Sequence, residues 1–134
     1  MILGIHHIGV VVKDLEQAVK SYEEALGLRR GETHHDPKRG IRAVMMPIGN
    51  CNFEFLEAND DRGIGKSFLE KHGEGINHIC FEVDDVHNEL DALVEKDIAL
   101  QDRLPRQGIT GTVAFLQDPM NGITIELVET KKAT

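Results

Sequence analysis

Several features that mark common classes of function are scarce or absent in this chain. It has no Trp, one Tyr and only 4% aromatic residues, so we expect no stacking platform for single-stranded nucleic acid. Lys and Arg number 15 against 23 Asp and Glu, a net charge of −8, which leaves no basic excess to neutralise a nucleic-acid backbone. No apolar run approaches the roughly 18 residues of a membrane-spanning helix. The sequence therefore predicts neither nucleic acid nor membrane as a partner, and remains compatible with an anionic small ligand.

Cysteine is also rare. Cys51 and Cys80 lie far apart in apolar segments, a pattern typical of reduced, buried thiols in the cytosol. The first residues lack the basic and apolar regions of a signal peptide. These features predict a cytoplasmic protein, and 134 residues predict a single domain over 1–134.

The sequence contains an internal repeat. Segment 5–15 aligns with 76–86 at an offset of 71, and segment 52–57 aligns with 124–129 at an offset of 72. A repeat of this length that occurs twice indicates duplication within one domain. We expect two modules, about 1–60 and 74–130, each with the order strand–helix–strand–strand–strand, and a bridging helix over about 63–72.

Turn and capping signals delimit the predicted elements. Asp14 followed by Gln17 has the pattern of a helix N-terminus, and Gly27 that of the helix end. We expect the remaining strands of the two modules at the positions that follow the helices: 28–34, 41–48, 51–58, 98–103, 112–117 and 122–129.

Alternation along the strands brings four polar residues to one kind of face. In each half, the side chains of one histidine and one glutamate point away from the face that packs on the helix. These residues are His7 and Glu54 in the first half, and His78 and Glu126 in the second. The spacings are 47 and 48 residues. Each residue alone fits an ordinary polar position, but their duplication at matching positions favours a site for one divalent cation such as Zn, Mn, Co or Ni.

Longer motifs extend this pattern. They are the opening His7–Val12, the Glu54–Glu57 strand, the run Phe68–Ile79, and Pro105–Arg106 leading to Val113–Leu116. Together they resemble the vicinal oxygen chelate superfamily of glyoxalases, bleomycin-resistance proteins and extradiol dioxygenases, and within it the methylmalonyl-CoA epimerases most closely.

The resemblance implies an α+β fold in which two βαβββ modules form a partly closed mixed β-barrel around one metal ion, usually in a homodimer. It places His7, Glu54, His78 and Glu126 on the metal positions. It implies epimerisation of methylmalonyl-CoA or a similar short acyl-CoA through a metal-stabilised enolate, with the α-proton taken by a carboxylate. Some epimerases carry a further Glu in the third strand, where this chain has Ala43. We therefore expect Glu126 as the first candidate for the base and Glu54 as the second.

Other functions remain open. A glyoxalase-type isomerase or lyase uses the same metal set and a similar proton transfer. An Fe(II) dioxygenase needs two His and one carboxylate, and a fourth candidate ligand disfavours it. Non-catalytic binding proteins of this superfamily generally lack the metal residues. Basic residues precede the third strand of each half and suit either an anionic ligand or solvent-exposed loop charge: Lys38, Arg39 and Arg42, then Arg103 and Arg106.

Overall fold

The structure, a computed structural model, describes residues 1–38, 40–58 and 64–130. Within these described residues, three helices and eight strands confirm the predicted α+β class. The helices are α1 (Leu15–Leu26), α2 (Ile64–His72) and α3 (Val86–Glu95). The strands are β1 (Ile2–Val11), β2 (Thr33–Asp36), β3 (Ile41–Ile48), β4 (Cys51–Ala58), β5 (Gly75–Val83), β6 (Arg106–Gln107), β7 (Gly111–Phe115) and β8 (Thr124–Thr130).

Contacts divide the chain into two compact units. The N-terminal unit is His7–Asn77, and the C-terminal unit combines Met1–His6 with the chain from His78 onward. Strand order is β2-β3-β4-β1 in the first and β5-β8-β7-β6 in the second. In each unit the first and last strands of the module are parallel neighbours, and the other pairs are antiparallel. The assignment of a single domain over 1–134 stays a prediction.

The helices begin where the capping signals place them. The Asp14 carboxylate accepts a 3.0 Å hydrogen bond from the Gln17 N–H, and Asp85 does the same for Asn88 at 3.0 Å. Gly27 ends α1 in the left-handed conformation, with φ of +69°, which glycine adopts without a steric penalty. Local sequence therefore determines both the start and the end of α1.

Each unit has an apolar cluster between its long helix and one face of its strands. Leu15 and Val19 of α1 pack on Phe55 and Met46 in the N-terminal unit. In the C-terminal unit, Val86 and Leu90 of α3 pack on a matching set of strand residues, Val83, Ala114, Leu116 and Leu127. The opposite strand faces are the ones that the alternation predicts for the four polar residues.

In the N-terminal unit the second strand face also has a helix against it. Phe68 and Leu69 of α2 pack on Val11, Leu56 and two further residues, Ile41 and Ala43. The expectation that the polar residues lie away from the helices therefore holds for α1 and α3, but α2 covers part of the face that carries His7 and Glu54. The predicted start of this helix at residue 63 lies outside the described residues.

Two of the predicted strands were wrong. The strand expected at 28–34 is displaced to Thr33–Asp36: Leu28 packs into the α1 cluster, and only Gly31 and Glu32 extend the backbone bonding to β3, at Met45. The Gly31 N–H donates to the Met45 carbonyl at 2.7 Å, and a Cβ on Gly31 would stand 2.6 Å from that oxygen. The strand expected at 98–103 is reduced to a bridge between Leu100 and Leu116.

A side chain interrupts that second strand. The carboxylate of Asp102 accepts the Phe115 N–H at 2.8 Å, so a side-chain oxygen replaces the carbonyl that a continuing strand would offer. The strand that pairs with β7 is instead β6, in which Arg106 lies opposite Val113. Among the described residues, no helix has the length and apolar character to cross a bilayer.

Candidate metal centre

His7 and Glu54 form a buried pair in the N-terminal unit. Glu54 lies opposite Gly9 in the parallel β1–β4 ladder, so His7 is two residues before the register position of its partner and shares its face. The Nε2 atom of His7 is 3.6 Å from Oε1 of Glu54. The two residues are only 2% and 7% exposed.

The C-terminal unit repeats this arrangement. Glu126 lies opposite Cys80 in the β5–β8 ladder, two residues after His78. The Nε2 atom of His78 is 3.4 Å from Oε1 of Glu126, and the residues are 5% and 7% exposed. The structure thus brings together His7 with Glu54, and His78 with Glu126, as the duplicated spacing predicts.

The geometry of each pair suits ligands of one cation. Ligand atoms about 2.0–2.2 Å from an ion in tetrahedral or octahedral geometry are roughly 3.0–3.5 Å from each other. The N···O distances of 3.6 and 3.4 Å are near this range and longer than a good hydrogen bond. Imidazole nitrogen with carboxylate oxygen is also a donor set that Zn, Mn, Co and Ni accept. Each pair therefore fits a divalent cation.

The residues beside the pairs differ between the units. Met45 lies opposite Glu54, whereas Phe115 lies opposite Glu126. The Phe115 ring meets the His78 ring nearly at right angles, with centroids 5.9 Å apart.

Cys80 is fully buried and packs with Val113 and Val128, as expected for an apolar filler. Ala43 of the third strand is also fully buried, and an alanine offers no carboxylate at that position.

Sequence reasoning missed a second duplicated glutamate function. The Glu57 carboxylate accepts the Leu15 N–H at 2.6 Å, and the Glu129 carboxylate accepts the Val86 N–H at 3.0 Å. Each contact joins the last strand of a module to the N-terminus of its helix, where backbone N–H groups lack intrahelical partners. Glu57 and Glu129 align in the repeat, which was the signal that could have identified them.

The basic residues that the sequence singled out differ in whether other side chains hold them in place. The Arg106 Nε donates to the Asp102 carboxylate at 3.3 Å, and its guanidinium carbon lies 5.6 Å from the Phe115 ring centroid. Lys38, Arg42 and Arg103 are exposed, and Arg39 lies outside the described residues. His34 is 3.2 Å from the exposed Glu32 carboxylate.

Known proteins resemble this chain in fold and, at about 30% identity, in sequence. The family model of the glyoxalase/bleomycin resistance protein/dioxygenase superfamily matches residues 4–127. The ethylmalonyl-CoA/methylmalonyl-CoA epimerase of Cereibacter sphaeroides is 31% identical over 131 residues, which cover 95% of this chain and 98% of that protein. The mitochondrial methylmalonyl-CoA epimerase of Dictyostelium discoideum is 30% identical over 128 residues, covering 93% and 77%.

Structural similarity leads to the same group of proteins. A variant of the Streptomyces coelicolor methylmalonyl-CoA epimerase, solved in complex with 2-nitronate-propionyl-CoA, superposes with a TM-score of 0.92 at 28% identity. The match covers 98% of this chain and all of that one. These findings confirm the resemblance that the sequence motifs indicated. The chain belongs to the glyoxalase/bleomycin resistance protein/dioxygenase superfamily.

Proposed function

We propose that this protein is an isomerase that epimerises methylmalonyl-CoA or a similar short acyl-CoA. The observation that carries the proposal is the duplicated His–Glu pair, buried at the same strand register in both units. Similarity to named epimerases along more than nine-tenths of the chain supports the reaction class. An epimerase must remove a proton from carbon and return one, and buried carboxylates suit this task.

His7, Glu54, His78 and Glu126 would together hold one divalent ion, with each unit supplying an imidazole and a carboxylate. The bound ion would supply Lewis-acid stabilisation of negative charge on the substrate oxygen. The repeat in sequence and register supports an equivalent role for the two pairs, and the sharing of one ion is what membership of the superfamily implies. Metal analysis of the purified protein is expected to give about one ion per chain, whereas two ions per chain would contradict a shared site.

The carboxylates supply the proton transfer. We assign Glu126 as the first candidate for the carboxylate that accepts the α-proton, and Glu54 as the second candidate. A second acid, in its protonated form, returns a proton to the opposite face. Glu126 lies among apolar neighbours, Phe115, Cys80 and Val128, which limit the access of water. The side chain of Ala43 cannot exchange a proton, so the third strand supplies no further base at that position, and a bound water is the alternative to the two glutamates.

Proton–deuterium exchange tests the proposal directly. Metal-loaded protein in D₂O should catalyse the incorporation of deuterium at the α-carbon of methylmalonyl-CoA. NMR or mass spectrometry measures this incorporation. Glu126→Gln should slow exchange by about 100-fold or more, and Glu54→Gln should keep the larger residual rate. Failure of the metal-loaded wild type to catalyse exchange would rule out the epimerase. Conversion of the glutathione–methylglyoxal adduct instead would favour the glyoxalase-type lyase.

The oligomeric state, the identity of the native metal and the location in the cell stay predictions. A homodimer is expected from the family, and analytical ultracentrifugation of the full chain would measure it. The native metal among Co, Mn, Zn and Ni would follow from the metal analysis above. A cytoplasmic location is likewise an expectation from the sequence.

A further inference from the structure

In the C-terminal unit, a second polar cluster lies next to the His78–Glu126 pair. Phe115 connects the two: it lies opposite Glu126 in the β7–β8 ladder, and its ring meets the His78 ring at a centroid distance of 5.9 Å. Arg106 lies over the same ring, with its guanidinium carbon 5.6 Å from the centroid. One aromatic side chain thus contacts both a candidate metal ligand and a cation.

The position of Arg106 is held by several contacts. One oxygen of the Asp102 carboxylate accepts from the Arg106 Nε at 3.3 Å, and the other accepts the Phe115 N–H at 2.8 Å. The Asp102 side chain is only 15% exposed. Because Asp102 is bonded to the backbone of β7, it ties the guanidinium to the strand that also positions Phe115.

Part of this guanidinium remains available to a ligand. Within the described parts of the chain, the two terminal nitrogens of Arg106 donate no hydrogen bond, and its side chain is 32% exposed. A guanidinium fixed through Nε and stacked on a ring presents those terminal nitrogens in one orientation. This arrangement suits an anionic oxygen pair, since paired N–H donors match carboxylate geometry.

We propose that Arg106 binds the free carboxylate of the acyl group and thereby makes the site selective for carboxylated acyl-CoA thioesters. This inference rests on the proposed function and names the group that distinguishes a malonyl-type substrate from an uncarboxylated one. Asp102 is a positioning residue in this arrangement, since it orients Arg106 without contacting the substrate. Charge-assisted pairing gives the selectivity, and an acyl group without a carboxylate leaves the Arg106 donors unmatched.

Calorimetric binding of two probes to the metal-loaded full chain tests the inference. Malonyl-CoA carries the carboxylate, and acetyl-CoA is the matched probe without it. For the wild type we expect malonyl-CoA to bind more tightly. In Arg106→Gln the Kd of malonyl-CoA should rise by about tenfold to a hundredfold, while that of acetyl-CoA stays within about twofold. Arg106→Lys should retain part of the preference, since it keeps the charge without the planar fork.

Arg29→Gln is the matched control, because it removes the same charge from an exposed position of the N-terminal unit. It should leave both dissociation constants and the epimerase rate unchanged. Asp102→Asn should raise the KM of methylmalonyl-CoA more than it lowers kcat, with an unchanged metal content.

Several results would overturn the inference. An unchanged ratio of the two dissociation constants in Arg106→Gln would do so. An equal weakening of both probes would also do so, because it would place Arg106 on the CoA part that they share. In either case the wild type would still catalyse deuterium exchange, and the proposed function would stand. A wild type that binds neither probe nor catalyses exchange would refute both proposals.

Discussion

The His–Glu pairs of the two units have the same strand register, but different groups lie around them. In both, the glutamate lies two register positions beyond the histidine, and a second glutamate is bonded to the helix N-terminus. Beside the N-terminal pair, α2 packs an apolar surface around Ala43 and Leu56. Beside the C-terminal pair lie Phe115 and the Arg106–Asp102 pair.

The proposed metal ligands are duplicated in the two units, whereas the proposed selectivity residue, Arg106, has no counterpart of the same kind. Arg106 lies opposite Val113, and His34 lies opposite Ala43, at matching positions of the two edge strands. Arg106 is held by a largely buried carboxylate, whereas the partner of His34, Glu32, is 83% exposed. Duplication therefore preserved the proposed metal ligands, and the edge strands diverged.

Loss of either histidine should have the largest effect. His7→Ala and His78→Ala should each lower bound metal and reduce epimerase activity by at least about 100-fold, because each removes one proposed ligand of the same ion. Metal content and deuterium exchange measure this. His87→Ala, at an exposed position of α3, is the control and should retain both. Retention of full metal content by one of the two ligand variants would mean that only the other unit binds the ion.

Truncation of the two helix–sheet clusters should distinguish an aromatic from an aliphatic core. Phe55 contacts the rings of Tyr22 and Phe53 at centroid distances of 4.9 and 5.7 Å. We expect Phe55→Ala to lower the free energy of unfolding by about 3–5 kcal/mol and Leu90→Ala by about 2–5 kcal/mol. Urea unfolding measures both. A clearly larger loss for Leu90→Ala would show that the ring contacts add little.

The two glutamates at the helix N-termini should have smaller and comparable effects. Glu57→Gln and Glu129→Gln each weaken a charge-assisted hydrogen bond to a backbone N–H. We expect a cost of about 1–2 kcal/mol each, with the larger cost at Glu57, whose contact is shorter. Differential scanning calorimetry with metal-loaded protein measures this. An unchanged melting temperature in both variants would mean that water replaces the carboxylate without cost.

Surface ion pairs should show the smallest difference between the units. Arg30 donates two hydrogen bonds to the Glu16 carboxylate, which lowers the pKa of Glu16 from its ordinary value of 4.5. A lowered pKa in the folded state adds stability above about pH 4.5, and this stability is lost as the pH falls through the folded pKa. The difference in melting temperature between wild type and Arg30→Gln should therefore be constant near neutral pH. It should become smaller in acid, where Glu16 is protonated.

The C-terminal unit provides a comparison for this pair. Arg103 is 3.8 Å from Asp91, and both side chains are more than half exposed, so Arg103→Gln should shift the melting temperature less than Arg30→Gln at pH 7. A difference for Arg30→Gln that widens in acid would contradict the assignment of the stabilisation to ionised Glu16.

The sequence allowed the repeat, the helix caps and the two His–Glu pairs to be predicted, because each depends on local periodicity or a matching offset. Asp14 caps the N-terminus of α1, and Gly27 ends the helix in the left-handed conformation, as the preferences of these residue types predict. The strands at 28–34 and 98–103 failed for non-local reasons. The Asp102 carboxylate replaces a ladder carbonyl, and Leu28 packs into the α1 cluster instead of continuing a strand. The packing of α2 on Val11 and Leu56 likewise depends on surfaces that exist only after folding.

The parallel pairing of β1 with β4 and of β5 with β8 has a consequence for folding kinetics. Gly9 and Glu54, for example, are partners in the ladder although α1, β2 and β3 separate them in the sequence. Contacts of such large sequence separation form slowly, since loop closure precedes any stabilising contact. The proposed ligands of each unit should therefore come together late in refolding. Recovery of metal binding after dilution from denaturant should lag behind the recovery of helix, and so report completion of the module.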